Sequence, residues 1–338
     1  EGHHELMRNL PAILCFLTLA LAGIGTPASA DRLIPERWQT SLLSDHKLAG
    51  RIWVHARKAI GTERDLKFLV EKADFVLLGE KHNNPDHHVL QAALLRLAAA
   101  GKPPAERPTV VWEMVDAEQD AALQSWLRRD GATAAGMGPA LDWGSSGWPA
   151  WEQYQPIAQV ALDLGLPQIA GNIPARRLMD LAMNGNADAV PASMAHLLEQ
   201  TPWTETDRAA LEQELVESHC GMMKAGDKGL QGIAKIQRLR DAAMALAMVA
   251  STDGSGAVLI AGSGHVRKDR GVPRYLTTLD RRARIAVIAM FEVVEGIDDP
   301  TAYMTDFPPG AFDAIIFTPR LDDRDPCEAL RKAHGRNG

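Results

Sequence analysis

Residues 75–88 read FVLLGEKHNNPDHH. An apolar run short enough to be a strand buried on both faces passes straight into a glycine, a glutamate and three histidines set among turn-forming residues. The first half of that pattern recurs along the chain. Val- and Ile-rich runs occur at 51–55, 75–78, 109–114, 167–171, 257–261, 285–291 and 312–317, most of them separated by enough residues for a helix. Such spacing suits parallel strands joined by helical crossovers. The expected fold class is therefore α/β, three-layer, with a mainly parallel β-sheet carrying helices on both faces.

Between 175 and 250 the strand signals stop, and helical patterns follow one another at 175–183, 191–198, 206–219 and 230–249. This block reads as an inserted helical lid, entered at Thr204 or Thr206 as a cap. The segment 131–149, rich in Gly, Ala and Trp, is expected to be one long loop, and loops of that length inside a domain usually serve a function.

At the other end, residues 7–30 read MRNLPAILCFLTLALAGIGTPASA, with one Arg, an apolar run over 13–24 and Ala28-Ser29-Ala30 before Asp31. This is the pattern of a cleavable signal peptide at 1–30, with 1–6 as an N-terminal extension, ahead of a single domain over 31–338. Cys15 sits in mid-run without a lipobox, so a lipid anchor is not expected and the destination is the periplasm. The formal charge of −7, with no Lys/Arg stripe interleaved with aromatics, argues against nucleic acid as the main partner. Beyond the leader only Cys220 and Cys327 remain. They either pair, as an oxidising compartment allows, or stay as two thiols, one of them a ligand.

In an open parallel sheet, ligands bind beyond the carboxyl ends of the strands. Those exits carry Glu80 and His82, then Glu113, Asn172, the run Gly262-Ser263-Gly264-His265-Val266-Arg267, and Thr318-Pro319-Arg320. Each has an ordinary alternative, because a strand-end Glu often caps a helix and Asn83-Asn84-Pro85 alone makes a turn. Together, Glu80, His82, Glu113 and His265 fit two chemistries. They could hold a divalent metal ion with open positions, as in a metal-dependent hydrolase. They could equally work without metal as an acid and base pair. His87 and His88 begin the next helix about 100° apart, so at most one shares a face with His82. In the loop 262–267 two glycines let backbone N–H groups approach an anion while Arg267 clamps a carboxylate, although a plain strand-to-helix turn reads the same way. His219 and Met222, with Met244 and Met248 on a later helix, either line a haem or metal pocket or fill core. Trp143, Trp148, Trp151 and Tyr154 either stack on a flat ligand or pin the long segment to the core.

The stretches LLGEKHNNPDHHVLQ (77–91), VVWEM (110–114), SGWPAWEQYQPI (146–157), HCGMM (219–223), QRLRDAAMA (237–245), IAGSGHVRKDRGVP (260–273), FTPR (317–320) and DPCE (325–328) resemble the ChaN-like haem-binding uptake proteins, iron-regulated proteins of bacterial envelopes. The resemblance runs from about residue 50 to 328. It extends to a wider superfamily with TIKI-type metalloproteases and erythromycin esterases, which share the GxxH exit at 79–82, the strand Glu113 and the later His265. It implies an α/β core with a helical lid, haem as the bound cofactor, a possible homodimer formed on haem binding, and a role in haem or iron uptake with envelope haem-uptake components. For the cofactor it points to Tyr154, His82, His87, His88, His219, Met222, His265 and Arg267, with Arg267 meeting a propionate. Tyrosine ligation occurs in the family. Tyr154, Tyr275 and Tyr303 are the available tyrosines, and Tyr154 sits closest to the strand exits.

Overall fold

The computed structural model describes residues 32–184, 190–252, 254–325 and 327–328, so the leader expected at 1–30 lies outside the described residues. Among the described residues eight strands form one sheet: β1 Ile52–Val54, β2 Ala59–Gly61, β3 Phe75–Glu80, β4 Thr109–Asp116, β5 Gln168–Asn172, β6 Ala257–Gly262, β7 Ile285–Glu292 and β8 Ala314–Thr318. Their order is β2-β1-β8-β7-β3-β6-β4-β5. Every neighbouring pair from β8 to β5 is parallel, while β1 runs antiparallel to both β8 and β2. All seven strand-like runs of the sequence are strands. The additional one, β2, is three partly exposed residues that continue a hairpin from β1 and offered no apolar alternation to read.

Two cores sandwich the sheet, as period-two side-chain alternation requires. On β3, Val76 and Leu78 face a core shared with α1 Glu63–Lys72, α2 Pro85–Ala99, α3 Asp120–Leu127, α4 Ala134–Ala140 and α5 Trp151–Asp163. Phe75 and Leu77 face the other core, built with α6 Ala175–Asn184, α7 Ala192–Gln200, α9 Lys228–Ala250 and α10 Val272–Leu279. The intervening α8 Glu205–Ser218 starts at Thr204, which accepts from the Asp207 N–H while Asp207 accepts from the Thr204 N–H. That reciprocal cap selects Thr204 over Thr206. The block expected as a lid thus supplies most of the second helical layer, with α9 lying against β4, β5 and β6.

The segment 131–149 is not one loop. It contains α4 and a 3₁₀ turn at Trp143–Ser145. Its glycines hid the helix, since Gly costs about 1 kcal/mol against Ala in a helix interior. Packing demands them: a Cβ on Gly136 would lie 2.3 Å from the Trp126 ring, and one on Gly138 would lie 2.4 Å from the Trp151 ring.

Beyond α8, Cys220 forms a disulfide with Cys327, tying the helical layer to the C-terminal segment across a sequence separation of 107. Closing a loop of that length stabilises a fold by roughly 4–5 kcal/mol in the chain-entropy picture. Replacing Cys327 by Ser should lower the denaturation midpoint by the equivalent of about 3–5 kcal/mol. A reducing agent should shift the wild type to the same midpoint and leave the variant unmoved.

Candidate functional site

The three central neighbours β3, β6 and β4 end side by side, and their last residues build the site. Glu80 closes β3 and Glu113 lies on β4, each at most 2 % exposed, with Gly262 at the end of β6 between them. Gly262 has to be glycine. A Cβ there would lie 2.8 Å from His82 Nε2, so the missing side chain is the notch that admits the His82 ring.

Glu80 Oε1 accepts from His82 Nδ1 at 2.8 Å and from the Tyr154 hydroxyl at 3.1 Å, while Oε2 lies 3.1 Å from His88 Nε2. Burial raises the Glu80 carboxyl, but the charges and hydrogen bonds of His88 and His82 prevail and hold it down at about 2. The His82 side chain remains 32 % exposed. Burial lowers its pKa, and the Glu80 hydrogen bond with the charges of Glu113 and Glu80 overcomes this and raises it. Because Nδ1 serves Glu80, His82 turns Nε2 toward the open side, 3.9 Å from Glu113 Oε1. Trp148 meets the ring edge-on at 4.8 Å.

Glu113 Oε2 accepts from the Gly262 N–H at 2.6 Å. Its Oε1 lies 2.5 Å from Arg240 Nη2 and 3.2 Å from His265 Nε2. His265 Nδ1 lies 2.5 Å from Asp241 Oδ1. Burial lowers the His265 pKa, yet carboxylates at both ring nitrogens push it up to about 9. Burial pushes Asp241 up to about 6, against His265 and Arg240. At neutral pH the pair is therefore an imidazolium against a carboxylate.

Arg240 and Asp241 went unassigned at the level of sequence. They occupy consecutive positions of α9 with Gln237 one turn earlier, and Asp241 is 2 % exposed. The readable signal was an i, i+3, i+4 polar stripe, QxxRD, on a helix otherwise made for the core. Arg240 also donates to Asn172 Oδ1 and lies over the Trp148 ring, so it links the exits of β4 and β5 to the aromatic segment.

Other expected residues have different duties. Tyr154 is fully buried beneath Glu80, donating to it and to the His82 carbonyl, so its phenol does not face an open ligand site. His88 is buried beside it, the two ring centroids 4.2 Å apart. His87 accepts from the Lys81 N–H through Nδ1 and bonds Thr318 through Nε2; burial pushes it down to about 3, leaving a neutral structural ring. Arg267 is 4 % exposed and already clamped by Asp269 and Glu214, with Phe307 under its guanidinium. His219 bonds the Leu215 carbonyl at the end of α8. Neither His219 nor Met222 lines the cavities beside His82.

As a metal centre the quartet falls short: among the described residues no group of three or more His, Cys, Asp or Glu is arranged to hold an ion. The carboxylates are already engaged, Glu80 by His82, His88 and Tyr154, and Glu113 by Arg240, Gly262 and His265. The edge instead offers space. A cavity of about 590 Å³ opens over Glu80, His82, Glu113 and His265. A second of about 620 Å³ has a mixed lining, with Trp148, Leu141, Ile173, Leu178, Met179 and Ile236 set beside Asp116, Glu118 and Asp142. Arg240 borders both.

Residues 69–276 match the family described as "Haem-binding uptake, Tiki superfamily, ChaN". Among solved structures, the chain is similar to ChaN of Campylobacter jejuni, a structure described as showing cofacial haem binding, with a TM-score of 0.62 and 18 % identity over 78 % of this chain and 95 % of that one. A match to the erythromycin esterase EreC in its open conformation has a TM-score of 0.37 and 14 % identity over 86 % of this chain and 99 % of that one. No curated protein sequence matches.

The His265 pair has a measurable consequence. Its folded pKa of about 9 lies above the ordinary imidazole value of about 6.5, so its stabilisation is complete below pH 6.5 and is lost as pH rises through 9. Denaturation of the wild type at pH 7 and pH 9.5 should show a loss on the order of 2–3 kcal/mol. His265→Gln should remove most of that difference; an equal alkaline loss in the variant would place its origin elsewhere.

Proposed function

The chain belongs to the haem-binding uptake family of the Tiki superfamily, ChaN, and from that membership together with the groove beside His82 we propose that it binds haem and serves haem or iron uptake in the periplasm. The observation that carries this reading is a partly exposed imidazole at the carboxyl edge of the sheet, in contact with Trp148 on the wall of a neighbouring cavity. His82, with a side chain 32 % exposed, lines the cavity over the carboxylates, and Arg240 lines both that cavity and the one that carries Trp148, Leu141, Ile173, Leu178 and Met179. Met179 is 54 % exposed, an unusual position for a large apolar side chain and one that a flat apolar ligand would cover.

Haem would be the cargo, and its iron would be held by a side chain of this protein. The donor set favours His82 for that position. Glu80 holds Nδ1 and would leave Nε2 of the neutral ring to a ligand, the carboxylate–histidine arrangement that orients metal-binding imidazoles. No tyrosine competes: Tyr154 and Tyr275 are fully buried, and the Tyr303 hydroxyl is engaged by Val294 and Ile297. Arg240, bordering both cavities, is better placed for a propionate than Arg267. A haem-linked homodimer and transfer to envelope uptake components complete the reading.

A second reading, metal-free acid–base hydrolysis, draws on the Asp241–His265–Glu113 chain bordering the open cavity. It predicts turnover of activated esters that His265→Gln abolishes, with haem absent.

Titrating hemin into the purified protein should give a saturable Soret shift. His82→Ala should abolish it, and Glu80→Gln should weaken binding about 10- to 100-fold by releasing the ring. Tyr154→Phe should leave the Soret band intact while lowering stability by about 1 kcal/mol. An unshifted spectrum, or a shift lost in Tyr154→Phe and kept in His82→Ala, would overturn the assignment.

A further inference from the structure

The turn joining β1 to β2 and the segment 301–312 enclose a pocket of about 250 Å³ that shares no residue with the two cavities beside His82. Trp53, Met304, Phe307 and Phe312 wall it. The Pro308-Pro309-Gly310-Ala311 turn completes the wall: the Ala311 N–H donates to the Pro308 carbonyl, and Gly310 at φ +85° takes the left-handed position that such a turn reserves for glycine. This wall is held firmly. Phe307 and Phe312 pack edge to face at 5.2 Å, and the Lys268 N–H donates to the Ala311 carbonyl at 3.0 Å.

Two features separate this pocket from plain core. First, its ionisable lining residues are His55 and Lys58, half-exposed and exposed, with no carboxylate among the lining residues. Asp313 nearby is taken by Lys268 and the Val287 N–H. Second, Trp53 is 6 % exposed and its Nε1 finds no hydrogen-bond partner among the described residues. A buried donor left unpaired costs about 1–3 kcal/mol, which a ligand acceptor would recover. Met304, a flexible side chain, shares the pocket wall with Trp53.

Size narrows the ligand further. An apolar cavity of about 150 Å³ accommodates benzene, so this pocket takes a substituted single ring and is far too small for a porphyrin. We propose that it is a binding site for a small aromatic carboxylate carrying a ring hydroxyl or carbonyl, with the ring between Trp53 and the phenylalanines, the polar ring substituent toward Trp53 Nε1, and the carboxylate at Lys58 and His55.

Calorimetric titration of the full chain with 4-hydroxyphenylacetate tests this. Saturable one-to-one binding is expected, with the neutral analogue 4-hydroxyphenethyl alcohol about fivefold weaker. Lys58→Gln should abolish the preference for the acid while leaving the alcohol's affinity and the hemin titration unchanged. Thr301→Trp, which fills the pocket from an exposed lining position, should block both ring compounds. Absence of saturable heat, equal affinity for acid and alcohol, or unaltered binding in Thr301→Trp would each overturn the proposal.

Discussion

Two carboxylates buried on either side of β6, Glu80 and Glu113, must be neutralised where they stand, and the arrangement of the whole edge follows from how this is done. Burying an isolated carboxylate costs several kcal/mol even after relaxation. Glu80 is served mainly by its own chain segment, through His82 two residues on and His88 in the first turn of α2, with Tyr154 added from α5. Glu113 has no such local partners. Its cation and its imidazolium come from Arg240 on α9 and His265 after β6, and Asp241 holds that imidazole from behind. The helical layer is therefore fastened to the sheet at the functional edge.

This division explains what the sequence made legible. The strands were readable because burial on both faces leaves a continuous apolar run, and the strand exits were readable because a parallel sheet fixes where polar residues gather. Glu80, His82, Glu113 and His265 do meet there. Arg240 and Asp241 were hidden because nothing in a helix's own pattern says which loop its polar stripe will meet. Tyr154 reads differently in three dimensions for the opposite reason. Its aromatic neighbours suggested a ligand platform, whereas the rings of Trp143, Trp151 and His88 enclose it. The helix α4 was masked by glycines whose purpose, making room for Trp126 and Trp151, exists only in three dimensions.

Compensation also decides which groups remain free for a ligand. Tyr154, His88 and His265 all hold buried carboxylates, and His87 holds the Lys81 N–H and Thr318, so none can turn outward without stranding a partner. His82 alone of this set combines a satisfied nitrogen with a second one at an exposed position. Gly262 makes that possible by omitting the side chain that would occupy the ring's place.

The charge count beneath the groove points the same way. Glu80, Glu113 and Asp241 supply three negative charges, against which Arg240 and the His265 imidazolium supply two positive ones. These five groups sum to about one negative charge, beneath an imidazole whose own pKa is raised and beside a cavity that adds Asp116, Glu118 and Asp142 to its apolar lining. A flat ligand with a positive centre would complete that balance in the proposed placement, with the centre at His82 over the carboxylates and the apolar body on Trp148 and Met179. A uniformly anionic ligand would meet Arg240 and Lys81, each already paired, the first with Glu113 and the second with Glu292. Both the shape of the edge and its charge therefore select a cationic centre inside an apolar plane, with any acidic groups held out toward Arg240 and the solvent.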